Sequence, residues 1–264
     1  MSLVFSALVP HPPLLLPSIG REHSKLLEKT WNAYGEIGKS LAASGAETLL
    51  VISPHLPAYP KTFIINSSPV YRTHFIEFGD FSEPREYGTD HGLTEMIRHN
   101  ARLEGASVAL INEEHLDYGS GVPLYFLPNR ETKIKLVLIS PSNGDAKTQF
   151  AFGKIVKDAI LRSRHKIGVI CSGDLSHRHS SDTPSGFSKT AKEFDELMIT
   201  NLSGGKASPI LQMDEGLTAE AHACGYRSVC MTLGIMDKIN YRPELLAYEM
   251  PFGVGYATME FHLK

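Results

Sequence analysis

Three short apolar runs limit what this chain can become. LLVIS from Leu49, LVLIS from Leu136 and IGVICS from Ile167 carry no charged residue and no alternation of polar with apolar. A strand with one wet face alternates, whereas unbroken runs of this length suit strands covered on both faces, as in parallel sheets. Strand-like segments are Leu3–Val9, Thr48–Ile52, Thr62–Ile65, Val108–Ile111, Lys135–Ile139, Ile167–Cys171 and Gly255–Phe261. Helical spacing fits Ser24–Ala43, Thr89–Leu103, Gln149–Arg164, Ser188–Leu202 and Ala221–Lys238. This alternation implies an α/β fold, a three-layer helix/sheet/helix sandwich around a mostly parallel or mixed sheet. No linker, repeat or low-complexity tract interrupts it, so residues 1–264 are expected to form a single domain, with HSSDTPSG and NLSGGKASP as loops.

In open sheets of this kind, ligands bind beyond the carboxyl ends of the strands. Two strands here end with the same grammar: Leu3–Val9 runs into Pro10-His11, and Thr48–Ile52 into Ser53-Pro54-His55. Proline cannot donate to a strand ladder and fixes φ, so each histidine stands at a rigid, aimed position. That suits a metal ligand. A lone strand-end histidine is most simply a loop hydrogen-bonder. For two, joined by one helix within a βαβ unit, that reading and a shared metal ion stand level. A catalytic metal wants a third ligand, and two histidines with one carboxylate form the pattern of non-haem iron oxygenases. Glu220 in TAEAHACGYRS is the favoured carboxylate, although an ordinary first-turn glutamate explains it better on spacing alone. His222 and Cys224 nearby allow a His/His/Cys zinc site instead. After Ile167–Cys171, SGDLSH holds Asp174 and His177, and His177 is the acid/base candidate because imidazole titrates near neutrality. His179, in a Ser-rich stretch, reads as solvated. After Val108–Ile111, NEEHLDYG holds Glu113, Glu114, His115, Asp117 and Tyr118.

Several function classes lack support. The formal net charge of −3 leaves no basic field for nucleic acid. Cys171, Cys224 and Cys230 are odd in number and lack CxxC spacing, against a disulfide framework or zinc knuckle. Neither GxSxG, GxGxxG nor a P-loop occurs, so nucleophilic and nucleotide chemistry are unsupported for Ser172 or Ser176. The prolines break LVFSALVPHPPLLLP too early for a leader or a membrane span, and a cytoplasmic protein without membrane contact is expected.

Taken in order, HPP at His11, SPH at His55, LDYGSGVPLYFL, GDLSH and EAHACGYRS resemble the class III extradiol ring-cleavage dioxygenases. The resemblance to this LigB-like superfamily covers essentially the whole chain and is nearest to the Memo/AMMECR1-associated branch. It implies Fe(II) held by His11, His55 and Glu220, with His177 acting on oxygen or substrate. The reaction implied is O2-dependent cleavage of a catechol-type ring beside its two hydroxyls. Where the family has LDHG this chain has LDYG, so Tyr118 stands at the position of a second active-site histidine, with His115 three residues earlier. Tyr118, Pro123 and Tyr125 are candidate pocket-lining residues. The Memo branch has a cysteine at the position resembling Cys224. Two alternatives therefore stay open: a Zn or Cu site with non-oxidative chemistry, and a scaffold protein. The resemblance also implies a homo-oligomer and an AMMECR1-type partner.

Overall fold

The computed structural model describes residues 2–127 and 134–264. Its strands are β1 (Leu3–Val9), β2 (Thr48–Ile52), β3 (Thr62–Asn66), β4 (Val70–Phe75), β5 (Asp80–Thr89), β6 (Ser107–Ile111), β7 (Lys135–Ser140), β8 (Ile167–Ser172), β9 (Tyr241–Glu249) and β10 (Tyr256–Leu263). Its helices are α1 (Pro17–Gly20), α2 (Glu28–Ser44), α3 (His91–Leu103), α4 (Tyr118–Phe126), α5 (Ala146–Arg162), α6 (Ala191–Ser203), α7 (Ala207–Leu211), α8 (Glu215–Ala221) and α9 (Gly225–Ile235). All the strands join one mixed sheet in the order β4-β5-β7-β2-β8-β1-β10-β9. The centre, β7-β2-β8-β1, is parallel, while β10 and β9 extend one side antiparallel. On the other side β7 is shared. Its start pairs parallel with β5, and its end pairs antiparallel with β3, which carries β6.

The unbroken runs are the central strands, and every residue of β2 and β8 is buried. Alternate residues serve opposite layers. Leu50, Ile52, Val137, Ile139 and Val169 pack with Phe152, Val156 and Ile160 of α5 and Val229 and Met231 of α9. Leu49, Val51, Leu136, Leu138 and Ile170 pack with Tyr34, Ile37 and Leu41 of α2 and Val122 and Leu124 of α4. Each such buried leucine, isoleucine or valine contributes roughly 1.5–3 kcal/mol of burial. Two cores on the two faces of one sheet are the expected sandwich.

Several elements depart from the sequence reading. The Ser24–Ala43 segment becomes helical only from Glu28, after a 3₁₀ turn over Arg21–Leu27. LDYGSGVPLYF, with two glycines and a proline, forms α4 because Asp117 caps it: its side chain accepts from the Ser120 amide at 3.0 Å. Strands β4, β5 and β9 arise from polar, half-exposed stretches that become strands by hairpin pairing, β4 with β5 and β9 with β10. The pattern Ala221–Lys238 breaks in two. α8 ends at Ala221, His222 turns left-handed at φ 49°, and α9 starts afresh at Gly225 with Cys224 as its N-cap.

Candidate metal centre

The parallel register explains why the two histidines meet. Leu8 of β1 and Ile52 of β2 both lie level with Cys171 of β8, the strand between them. Three residues beyond that common level, the strands deliver His11, Asp174 and His55. The shared Pro-His grammar is therefore a shared height above the sheet. Tyr34 from α2 donates its hydroxyl to the Pro10 carbonyl and pins the first of these turns.

His11 Nε2 and His55 Nε2 lie 2.9 Å apart, rings at 83°. The network behind His11 decides which nitrogen carries its proton. Ser172 donates its hydroxyl to the Gly119 carbonyl at 2.5 Å, so its oxygen is left to accept from His11 Nδ1–H at 2.8 Å. His11 Nε2 is then a bare lone pair aimed into the site, as a metal-binding histidine requires. Without a cation, His55 Nε2–H donates to it, and a cation replaces that single proton. The amide of His11 donates to Asp174 Oδ1 at 2.9 Å. Burial lowers the pKa of His11 to about 3 and, aided by the nearby His11, that of His55 to about 4, so both rings are neutral at physiological pH.

The third donor comes from the helix break. Cys224 Sγ lies 3.6 Å from His11 Nε2 and accepts from the Asp174 amide at 3.3 Å. Burial pushes this thiol upward, so it becomes a thiolate only with a cation beside it. The approach depends on two glycines packed backbone to backbone, because a Cβ on Gly173 would fall 2.3 Å from Gly225 Cα. His11, His55 and Cys224 each offer one atom within 4.8 Å of the others, a set that fits a metal ion. Asp174, His177 and Cys224 form a second such set. Burial raises Asp174 to about 6 and lowers His177, whose Nε2 is enclosed without a hydrogen-bond partner among the described residues.

An aromatic wall closes one side. Tyr118 stacks on His55 with centroids 4.3 Å apart and its hydroxyl 3.4 Å from His55 Nδ1, and Phe78 stands edge-on to Tyr118. Burial raises Tyr118 above its ordinary value, which makes it a hydrogen-bond donor rather than a base near neutral pH. On the other side Cys224 lies in the wall of a cleft of about 980 Å³, lined also by Pro54, Asn143, Asp145, His222 and Arg227.

The structure does not bring every candidate here. Glu220 sits at the end of α8 rather than the start of a helix, 57% exposed, with Arg178 Nη1 donating to it at 2.7 Å. His222, in the left-handed turn, is exposed on the cleft rim while Cys224 points inward. His115 is exposed and packs edge-on against His74, held by a bridge to Arg72 of β4. Pro123 is buried within α4, Tyr125 packs under the Arg85 guanidinium and Tyr118 stacks on His55, so none of the three lines the cleft. His179 is not solvated, since its Nε2 meets buried Asp195 at 2.7 Å. Conversely, the sequence reading weighs Ser172 only as a nucleophile and gives Asp117 no role. Asp117 accepts from Ser53 Oγ and Ser120, which fixes the α4 turn whose Gly119 carbonyl orients Ser172. The one signal for Ser172 was its position at the end of the strand between the two histidine-bearing strands.

Comparison with known proteins agrees with this fold. Protein CA_C1420 of Clostridium acetobutylicum is 29% identical over 269 residues, a match covering 98% of this chain and 58% of that protein. The chain thus spans 58% of the length of that curated relative. An uncharacterized protein, JW3007 from Escherichia coli K12, shares the fold at a TM-score of 0.67 and 16% identity, over 97% of this chain and 99% of that one. No helix among the described residues is long and apolar enough to cross a membrane. The model of the catalytic LigB subunit of aromatic ring-opening dioxygenase matches residues 6–259, and with nearly its whole length matched the chain belongs to the LigB family.

Proposed function

We propose that this chain is a metal-dependent dioxygenase of the extradiol type, cleaving a catechol-like ring with O2. His11, His55 and Cys224 would hold Fe(II), Cys224 taking the place expected for Glu220. The observation that carries this reading is the convergence of the two Nε2 atoms and Cys224 Sγ beside the 980 Å³ cleft in a LigB-family chain. Iron bound there supplies a redox-active Lewis acid between ring and dioxygen. The chain's own residues do the rest. His177, held neutral by burial and with Nε2 unpaired among the described residues, accepts a phenolic proton from the entering ring and later returns it. Tyr118 and Phe78 offer a flat apolar wall and exclude water. Ser172 keeps the His11 proton on Nδ1, so that Nε2 stays free.

A second reading rests on Cys224. A thiol, where the expected set has a carboxylate, favours zinc or copper over iron, and with zinc a non-oxidative reaction or a binding role. One experiment separates the two. Apo-protein is loaded anaerobically with Fe(II) or Zn(II), beside a His11→Ala control, and oxygen uptake is followed over a panel of small catechols. Uptake with a ring-opened product in the iron form alone supports the dioxygenase. Tight metal binding without uptake on any catechol overturns it in favour of the zinc or copper reading.

A further inference from the structure

The five donors above the sheet form two adjoining groups, Asp174 Oδ2 of one lying 3.8 Å from His11 Nε2 of the other. They divide into two sets that share a single atom, Cys224 Sγ: His11 with His55 on one side, Asp174 with His177 on the other. We propose that Asp174, His177 and Cys224 form a second cation position, taking a thiophilic divalent ion such as Zn²⁺ or Cd²⁺, with the thiolate bridging to the first. This rests on the metal reading of His11 and His55 but not on iron or on ring cleavage.

Three observations carry it. His177 Nε2 is enclosed and lacks a hydrogen-bond partner among the described residues, an unusual state for a buried imidazole nitrogen. Asp174 Oδ1 is taken by the His11 amide, which fixes the carboxylate with Oδ2 facing the donors, 3.8 Å from His11 Nε2. The thiol, imidazole and carboxylate atoms lie within 4.8 Å of one another, and that donor set is one zinc accepts. Electrostatics ranks the two positions. Two dications against one thiolate and one carboxylate leave a residual positive charge in a buried site, so the second ion binds more weakly.

The test is titration of apo-protein with Cd²⁺, read by native mass spectrometry and by thiolate-to-cadmium absorbance. Wild type should take two equivalents, the second at least tenfold weaker, and the absorbance should change at each. His177→Gln and Asp174→Asn should each stop at one equivalent, with unchanged circular dichroism showing that the fold is kept. Saturation of the wild type at one equivalent overturns the proposal, as does a second equivalent that survives in both variants. Iron-dependent oxygen uptake with only one cadmium equivalent would defeat this inference alone. Two equivalents with no uptake on catechols would defeat the dioxygenase reading alone.

Discussion

The contact between Gly173 and Gly225 is the tightest constraint on the centre, and it makes a graded prediction. A Cβ on Gly173 would lie 2.3 Å from Gly225 Cα, while one on Gly225 would lie 2.8 Å from the Asp174 carbonyl oxygen and from Gly173 Cα. Ordinary contact begins near 3.4 Å. Gly173→Ala must therefore part the two segments by about 1 Å, and Gly225→Ala by about half that. Neither has a rotamer to relieve it, because backbone meets backbone. Overpacking of this kind costs about 1–3 kcal/mol, with Gly173→Ala at the upper end. The parting acts directly on the site, since Asp174 follows one glycine and Cys224 precedes the other. Metal ligands tolerate displacements of only about 0.2 Å, so metal affinity should fall on the order of 100-fold for Gly173→Ala and less for Gly225→Ala. Chelator competition with Zn²⁺ and urea unfolding of the apo-protein read the two effects. Gly35→Ala, in α2 with nothing within 4 Å of its Cβ, should instead stabilise by roughly 0.5–1 kcal/mol. Wild-type zinc affinity in Gly173→Ala would refute the argument.

Three further substitutions or conditions follow from the same geometry. Ser172→Ala leaves His11 Nδ1–H buried and unpaired, so stability should fall by about 1–3 kcal/mol and zinc affinity by about 10–100-fold, and an unchanged affinity would mean the hydroxyl does not orient the ring. The Tyr118 hydroxyl is only at the edge of bonding distance from His55, at 3.4 Å, so Tyr118→Phe should hold zinc within about threefold of wild type while Tyr118→Ala, losing the stacked ring, costs about 1 kcal/mol; equal losses in both would contradict this. For pH, the unfolded chain takes up protons near 6.5 that buried His11 and His55 refuse until about 3 and about 4, which makes apo-protein stability fall on acidification. Asp174 runs the other way, bound to its proton below about 6 when folded but only below 3.8 when unfolded. Two protons against one leave a slope of roughly 1.4 kcal/mol per pH unit between pH 4 and 6, to which His177, also lowered by burial, adds in the same direction. Urea titration measures it, and stability that rises on acidification there would be the wrong sign.

What could be read ahead of the structure depended on how local its cause was. β1 and β2 lie where the apolar runs put them, to the residue, because strands buried on both faces declare themselves in their own composition. β4, β5 and β9 do not. Their residues alternate weakly or are half exposed, and each is a strand because its hairpin neighbour supplies the ladder, β4 with β5 and β9 with β10. α4 was hidden for another reason. Gly119 and Gly121 weaken a helix, yet a side chain at 119 would strike Ser53 Oγ at 2.6 Å and His55 Cδ2 at 2.8 Å. The site demands the glycine and the Asp117 cap restores the helix, so local propensity loses to tertiary fit.

The centre divides in the same way. That His11 and His55 converge follows from grammar each strand carries alone, and the register supplies only the common height. The third donor was not local in this sense. Glu220, His222 and Cys224 lie within five residues, and any one of them suits a continuous helix equally well. The break at His222 decides among them, because a left-handed residue there reverses the chain, leaves Glu220 outside for Arg178 and swings Cys224 in to cap α9. Gly225 is what allows the swing, since its amide can donate to the Asp174 carbonyl at 2.9 Å only where no Cβ intervenes. The sequence signal for a cysteine facing the two histidines was therefore not the cysteine but the glycine after it, paired with the glycine of SGD just beyond the strand between them.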